Sequence, residues 1–173
     1  MRILNQVAGW VALCGVYGIA LPEAVAGPAD DYVKGLVGKW RGGGTVTIND
    51  KGRKVRLRCV TNNTLNEATR TLTMNGRCAT SERTRSLRGK IKYNASGSKL
   101  TAVNLSVAGR NVGRYSSLRG NTLTLRGSVQ DKAKNKTILG RTFVRGGGRR
   151  FSIQLQTKES AAWKSRGILK FKR

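Results

Sequence analysis

The stretch that decides the fold runs from Gly38 to Cys78: Gly38-Lys39-Trp40-Arg41-Gly42-Gly43-Gly44, then alternating residues through Cys59, a polar turn, and renewed alternation to Cys78. From Lys54 to Val60, the apolar Val55, Leu57 and Cys59 fall on one face and the basic Lys54, Arg56 and Arg58 on the other. That is the period of a half-buried strand. Beyond the turn, Leu72, Met74, Gly76 and Cys78 alternate with Thr71, Thr73, Asn75 and Arg77. A hairpin turning between Asn66 and Thr71 sets Cys59 opposite Cys78 and Leu65 opposite Leu72 in one register. Two inward cysteines on neighbouring strands come to disulfide distance, so a Cys59 to Cys78 bridge is predicted.

The same alternation continues outward. Strands are read upstream at Thr45 to Ile48, before a tight turn at Asn49 to Gly52, and downstream at Lys90 to Tyr93 and Leu100 to Val107. In the first downstream strand Ile91 and Tyr93 point in, and Lys90 and Lys92 point out. Further strands are read at Val112 to Ser116, Thr122 to Ser128, Thr137 to Val144, Phe151 to Thr157 and Gly167 to Lys172. A polar or glycine-rich turn separates most neighbours. Ahead of them, Asp30 and Asp31 precede Tyr32, Val33, Leu36 and Val37, a short helical turn capped by acid and ended by Gly35 or Gly38. It is placed to plug one end of a barrel. The expected fold is all-β, an antiparallel up-and-down β-barrel of about eight to ten strands. Regular short spacing suits it better than a sandwich. Two echoes, Arg41-Gly42-Gly43-Gly44 with Arg145-Gly146-Gly147-Gly148, and Ser86-Leu87-Arg88-Gly89 with Ser117-Leu118-Arg119-Gly120, read as hairpin punctuation.

Residues 1–26 read as an export signal. Arg2 supplies the positive start, Val7 to Leu21 the apolar run, and Ala24-Val25-Ala26 the small-residue cleavage pattern. The run falls short of the roughly 20 apolar residues that a membrane span needs. Residues 27–173 then form one β-barrel domain with no span. The signal removes Arg2, Glu23 and Cys14, leaving an even cysteine pair that fits an oxidising, periplasmic or secreted location. The 34 basic and 8 acidic residues fall to 33 and 7, so the net charge stays at +26. That far exceeds the magnitude of roughly 2 to 8 that keeps a small domain soluble. It calls for an anionic partner.

The chain contains no histidine. Ser-His and Cys-His catalysis and histidine-bearing metal sites are excluded. Asp50, Glu67, Glu82, Asp131 and Glu159 are scattered, which argues against a paired-carboxylate hydrolase or a calcium cage. A non-enzymatic protein without a cofactor or metal is expected. Glu82 is assigned to an ion pair with Arg83 or Arg85. Neither glycine triplet is followed by the Gly-Lys-Ser/Thr of a phosphate loop. Their basic neighbours Arg41, Arg145, Arg149 and Arg150 remain anion-binding candidates.

By Cys78 the residues carry a resemblance. Gly38-Lys39-Trp40-Arg41-Gly42-Gly43-Gly44-Thr45, Arg58-Cys59 and Arg77-Cys78-Ala79-Thr80 resemble a family of small exported alphaproteobacterial proteins of unknown function, with a G-x-W-x-G-x-G opening and two cysteines about twenty residues apart. The resemblance implies location and a barrel-like shape, and no activity. Gly38-Lys39-Trp40 is also similar to the first motif of lipocalins and other calycins. That likeness implies a barrel-floor role for Gly38 and Trp40, with a cation from Arg166, Lys170 or Lys172 packed on the indole.

The functional expectation is an exported binding module. Its outer face, with Lys54, Arg56, Arg58, Lys90 and Lys92 as contacts, engages anionic envelope material: lipopolysaccharide, anionic lipid or acidic polysaccharide. One alternative is a lipocalin-like carrier of a small apolar ligand inside the barrel. Another is an inhibitor or assembly protein that meets an acidic partner protein. Nucleic acid ranks lower, because aromatic platforms are sparse, with Tyr115 and Trp163 as the surface pair.

Overall fold

The computed structural model describes residues 26–47, 52–107, 110–131, 136–159 and 161–173. A helix, α1 (Pro28–Gly35), is followed by ten strands. They are β1 (Gly38–Thr47), β2 (Lys54–Asn66), β3 (Thr71–Ala79), β4 (Thr84–Tyr93), β5 (Leu100–Val107), β6 (Arg110–Arg119), β7 (Thr122–Asp131), β8 (Lys136–Gly147), β9 (Arg150–Glu159) and β10 (Ala162–Lys172). Each strand pairs antiparallel with the next, and β1 pairs with β10 to close the barrel. The expected antiparallel barrel is thus present, calycin-like, at ten strands. The expected export signal lies outside the described residues except for Ala26, as do Ile48 of the expected first strand and residues 49–51 of the turn after it.

The hairpin register is the one the alternation requires. Cys59 faces Cys78 and Leu65 faces Leu72, and the cysteines are bonded, their Cα atoms 4.0 Å apart. A disulfide fits an oxidising compartment. No helix among the described residues is long and apolar enough to cross a membrane.

Two readings are corrected. The triplet Gly42-Gly43-Gly44 does not lie in a turn but inside β1, which begins seven residues before the expected Thr45. Ideal Cβ atoms at Gly42, Gly43 and Gly44 would fall 1.9, 2.0 and 1.9 Å from the carbonyl oxygens of Lys170, Leu57 and Ile168. The triplet is therefore a seam where β1 runs tight against both neighbours, too close for any side chain. Ser86 to Gly89 likewise lies inside β4 rather than at a hairpin. The other echoes do mark turns, with Gly120 at φ 51° and Gly148 at φ 54°, left-handed values that glycine adopts without strain.

The helix is capped differently from expectation. Gly27 occupies the N-cap without a side-chain bond, Pro28 opens the first turn, and Asp30 and Asp31 lie within that turn, where carboxylates favour the positive end of the helix. The amides of Ala29 and Asp30 both donate to the Gly97 carbonyl, at 2.9 and 3.1 Å, tethering the helix to the β4–β5 loop. Its apolar face, Ala29, Tyr32, Val33 and the following Leu36, is buried in the barrel end. These residues join one buried core with Leu72, Ile91, Leu123, Phe151 and Leu169 from the strands.

Candidate functional site

Helix α1 closes the end where β1 starts, and Trp40 lies on the floor beneath it, fully buried. Its indole N–H donates to the Leu36 carbonyl at 2.9 Å. Asn63 Nδ2 donates to the same oxygen at 2.8 Å, and the Thr61 hydroxyl donates to Asn63 Oδ1 at 2.8 Å. The ring packs edge-on against Phe151, which stacks on Phe171. The cation on the indole is Arg173, 4.6 Å from the ring centroid, and not Arg166, Lys170 or Lys172. Lys170 and Lys172 point outward, alternating with buried Leu169 and Phe171. Arg173 Nη2 also donates to the Val37 carbonyl at 2.7 Å. Tyr32 donates to the Val144 carbonyl at 3.0 Å, and burial pushes its phenol well above the ordinary pKa. Lys34 sits 2.8 Å from Asp30, whose hydrogen bond and charge raise the ammonium pKa. This end is a structural plug with its polar groups satisfied.

The opposite end is different. A cavity of about 960 Å³ opens there, lined by apolar Val46, Val55, Leu57, Cys78, Ala79 and Val107 and by Arg53, Lys54, Arg56, Arg58, Arg83 and Arg85. Glu82 is the one acid among the lining residues. Its carboxylate bonds Arg53 at 3.0 Å and approaches Arg83 at 3.8 Å, so Arg83 is a partner as expected and Arg53 is an added one. Arg85 faces Cys78 across the β3–β4 pair, in the phase of buried Leu87 and Ile91, and so reaches the mouth from inside the barrel wall. The hairpin loop Thr80–Arg83 is held by the Thr80 hydroxyl, which accepts from the amides of Glu82 and Arg83 at 3.1 Å.

The five expected wall contacts separate. Lys54, Arg56 and Arg58 are exposed at this mouth. Lys90 lies opposite Thr73, itself opposite Thr64, six positions beyond Arg58, which is about 20 Å further along the barrel. Lys92 is further still. The residues beside the glycine triplets partly converge at the plugged end, where Arg41 and Arg150 flank Lys172 on adjoining strands. Gly42 to Gly44 themselves bond within the sheet and offer no loop of free amides. Arg149 occupies the β8–β9 turn, and Arg145 stands on the outer wall with its guanidinium on Gln154 Oε1 at 2.8 Å.

Sequence reading offered Arg85 only as a partner for Glu82, although its inward phase marks it for the mouth, and it missed Asn63 and Thr61, polar residues in the core phase of β2. It also left Phe143 unplaced. That ring stands outward on β8, between Arg141 and Arg145. Among the described residues no group of three or more metal-ligating side chains gathers.

Fold and mouth together define the class: a closed ten-stranded calycin-like barrel, plugged at one end and open and basic at the other. No family model matches the chain, and neither does any curated protein. Among solved structures, the crystal structure of Rv2717c from M. tuberculosis is similar, with a TM-score of 0.53 at 16% identity, over 86% of this chain and 98% of that one. At that identity the likeness concerns the fold.

Proposed function

We propose that the protein is an exported, non-enzymatic binding barrel that holds anionic envelope material at its open mouth. The observation that carries this reading is that six basic residues and a single acid line one cavity. Charges of one sign around a low-dielectric concavity focus the field and draw in anions, and guanidinium forks suit phosphate and carboxylate groups. The test is to titrate the oxidised protein with lipopolysaccharide, anionic vesicles and acidic polysaccharide across a salt series. One of these should remain bound at salt that releases the others. Reversing Arg56 and Arg58 to Glu should then weaken that binding at least about tenfold more than reversing Lys90 and Lys92. Equal losses would reduce the site to bulk charge.

A second reading, a carrier of a small ligand, is favoured by the apolar lining of the same cavity, whose volume falls within the roughly 300 to 1,000 Å³ of ligand pockets. Such a ligand would sit in this cavity with its acidic group toward the basic residues that line it. Solvent extraction of purified protein followed by mass spectrometry tests it. An amphiphilic acid at stoichiometric amount supports a carrier, and an empty extract counts against one.

A further inference from the structure

The outer wall away from the mouth carries an arrangement of its own. Arg114, Arg126 and Arg141 stand directly opposite one another on β6, β7 and β8. Arg126 is exposed between inward Leu125 and Gly127, and Arg141 follows the outward phase of a strand whose Thr142 and Val144 are buried, so all three share the outer face. Directly opposed like charges destabilise a sheet. The ion pairs seen among the described residues, Asp30–Lys34, Arg53–Glu82 and Arg83–Glu82, all lie away from this row. With strands about 4.8 Å apart, the row is a ladder of closely spaced cations.

At its β8 end the ladder meets rings. The Arg141 guanidinium lies 4.2 Å from the Trp163 centroid and 5.2 Å from that of Phe143. The Arg145 guanidinium lies 5.3 Å from the Phe143 centroid. Gln156 Oε1 accepts from Arg141 Nε, and Gln154 accepts from Arg145. These bonds fix the guanidinium planes and leave further N–H groups on each fork. Phe143 and Trp163 are only half-buried. Fixed forks suit phosphate oxygens, and aromatic faces beside a cationic track suit stacked bases.

We propose that the wall formed by β6 to β10 binds single-stranded nucleic acid, with phosphates along Arg114, Arg126 and Arg141 and bases against Phe143 and Trp163. The surface lies on different strands from the mouth, so it does not depend on the function proposed there. An acidic polysaccharide would satisfy the cations but make poorer use of the rings, and this separates the two ligands experimentally.

The test is anisotropy of labelled oligo(dT) and of an abasic strand of equal length, titrated with the oxidised protein at about 0.15 M salt. Oligo(dT) should bind about tenfold or more tighter than the abasic strand and quench tryptophan emission, a quench assigned to Trp163, rather than to Trp10 or the fully buried Trp40, by its loss in Trp163→Phe. Arg126→Glu should cost about tenfold more affinity than Arg56→Glu at the mouth, and Trp163→Ala about tenfold relative to wild type. Trp163→Phe, which keeps a ring, should hold affinity within about threefold while losing the quench. The proposal is overturned if the abasic strand binds equally well, if Arg56→Glu costs as much as Arg126→Glu, or if a uronic-acid polymer displaces oligo(dT) at equal charge concentration.

Discussion

A single carbonyl organises the plugged end at the scale of residues. Leu36 O is the acceptor for both Trp40 and Asn63, and Thr61 in turn holds Asn63. Replacing Asn63 by Ala removes one donor from that oxygen and leaves the buried Thr61 hydroxyl without that acceptor. The expected cost is about 1 to 3 kcal/mol, read from urea denaturation midpoints. Tyr32 gives a pH-dependent counterpart. Burial raises its folded-state pKa, so its contribution is fully present below the unfolded value of about 10 and is lost as pH rises above it. Tyr32→Phe should therefore be about 1 kcal/mol less stable than wild type at pH 7, through loss of the bond to Val144. That gap should narrow or reverse by about pH 11. A gap constant across pH would mean that the phenol ionises in the folded barrel. The cation on Trp40 was legible as a kind and not as a position. Alternation commits Lys170 and Lys172 to the outer face, and Arg173, beyond the strand's last residue, is free of that constraint and folds back over the ring.

Elements divide according to how much of their pairing is local. The β2–β3 hairpin could be read in the sequence because apolar phase and a short turn specify one register, and the disulfide follows from that register. Replacing Cys59 and Cys78 together by Ala should cost about 2 to 4 kcal/mol, with the barrel retained by circular dichroism. Strand β1 could not be bounded in the same way. Glycines carry no apolar phase, and the reason for Gly42 and Gly44 lies in a contact with β10, more than a hundred residues away in the chain. Gly44→Ala tests that reason. Its methyl group would press on the Ile168 carbonyl oxygen, and a cost of about 3 kcal/mol is expected. Gly35→Ala is the control, because nothing lies within 4 Å of its added Cβ, and it should be neutral or stabilising by up to about 1 kcal/mol. The outward aromatics show the same limit. Phe143 and Trp163 are twenty residues apart in sequence and meet through Arg141 only after β8, β9 and β10 align.

Charge is the dominant property of the whole molecule, and it sets stability against binding. At +26, with few ion pairs among the described residues, the folded barrel crowds like charges that the unfolded chain would spread apart. Added salt screens this repulsion, so a rise in salt should raise the thermal midpoint while it weakens every anionic complex. The basic mouth sharpens the argument, because its basic residues lie close together at the ends of β2 and β4, either side of β3. Reversing Arg56 and Arg58 to Glu should therefore act in opposite directions on the two properties. Affinity for the anionic ligand should fall, and the thermal midpoint in low salt should rise by about 2 °C, the shift that roughly 0.5 to 1 kcal/mol of relieved repulsion gives in a domain of this size. A variant that loses both affinity and stability would indicate damage to β2 instead. The paired measurement, a melting curve and a titration on the same protein, distinguishes residues retained for the sake of the fold from residues retained at its expense. Fold-determining residues such as Asn63 and Gly44 lower stability when changed, whereas ligand-binding residues at the mouth raise it.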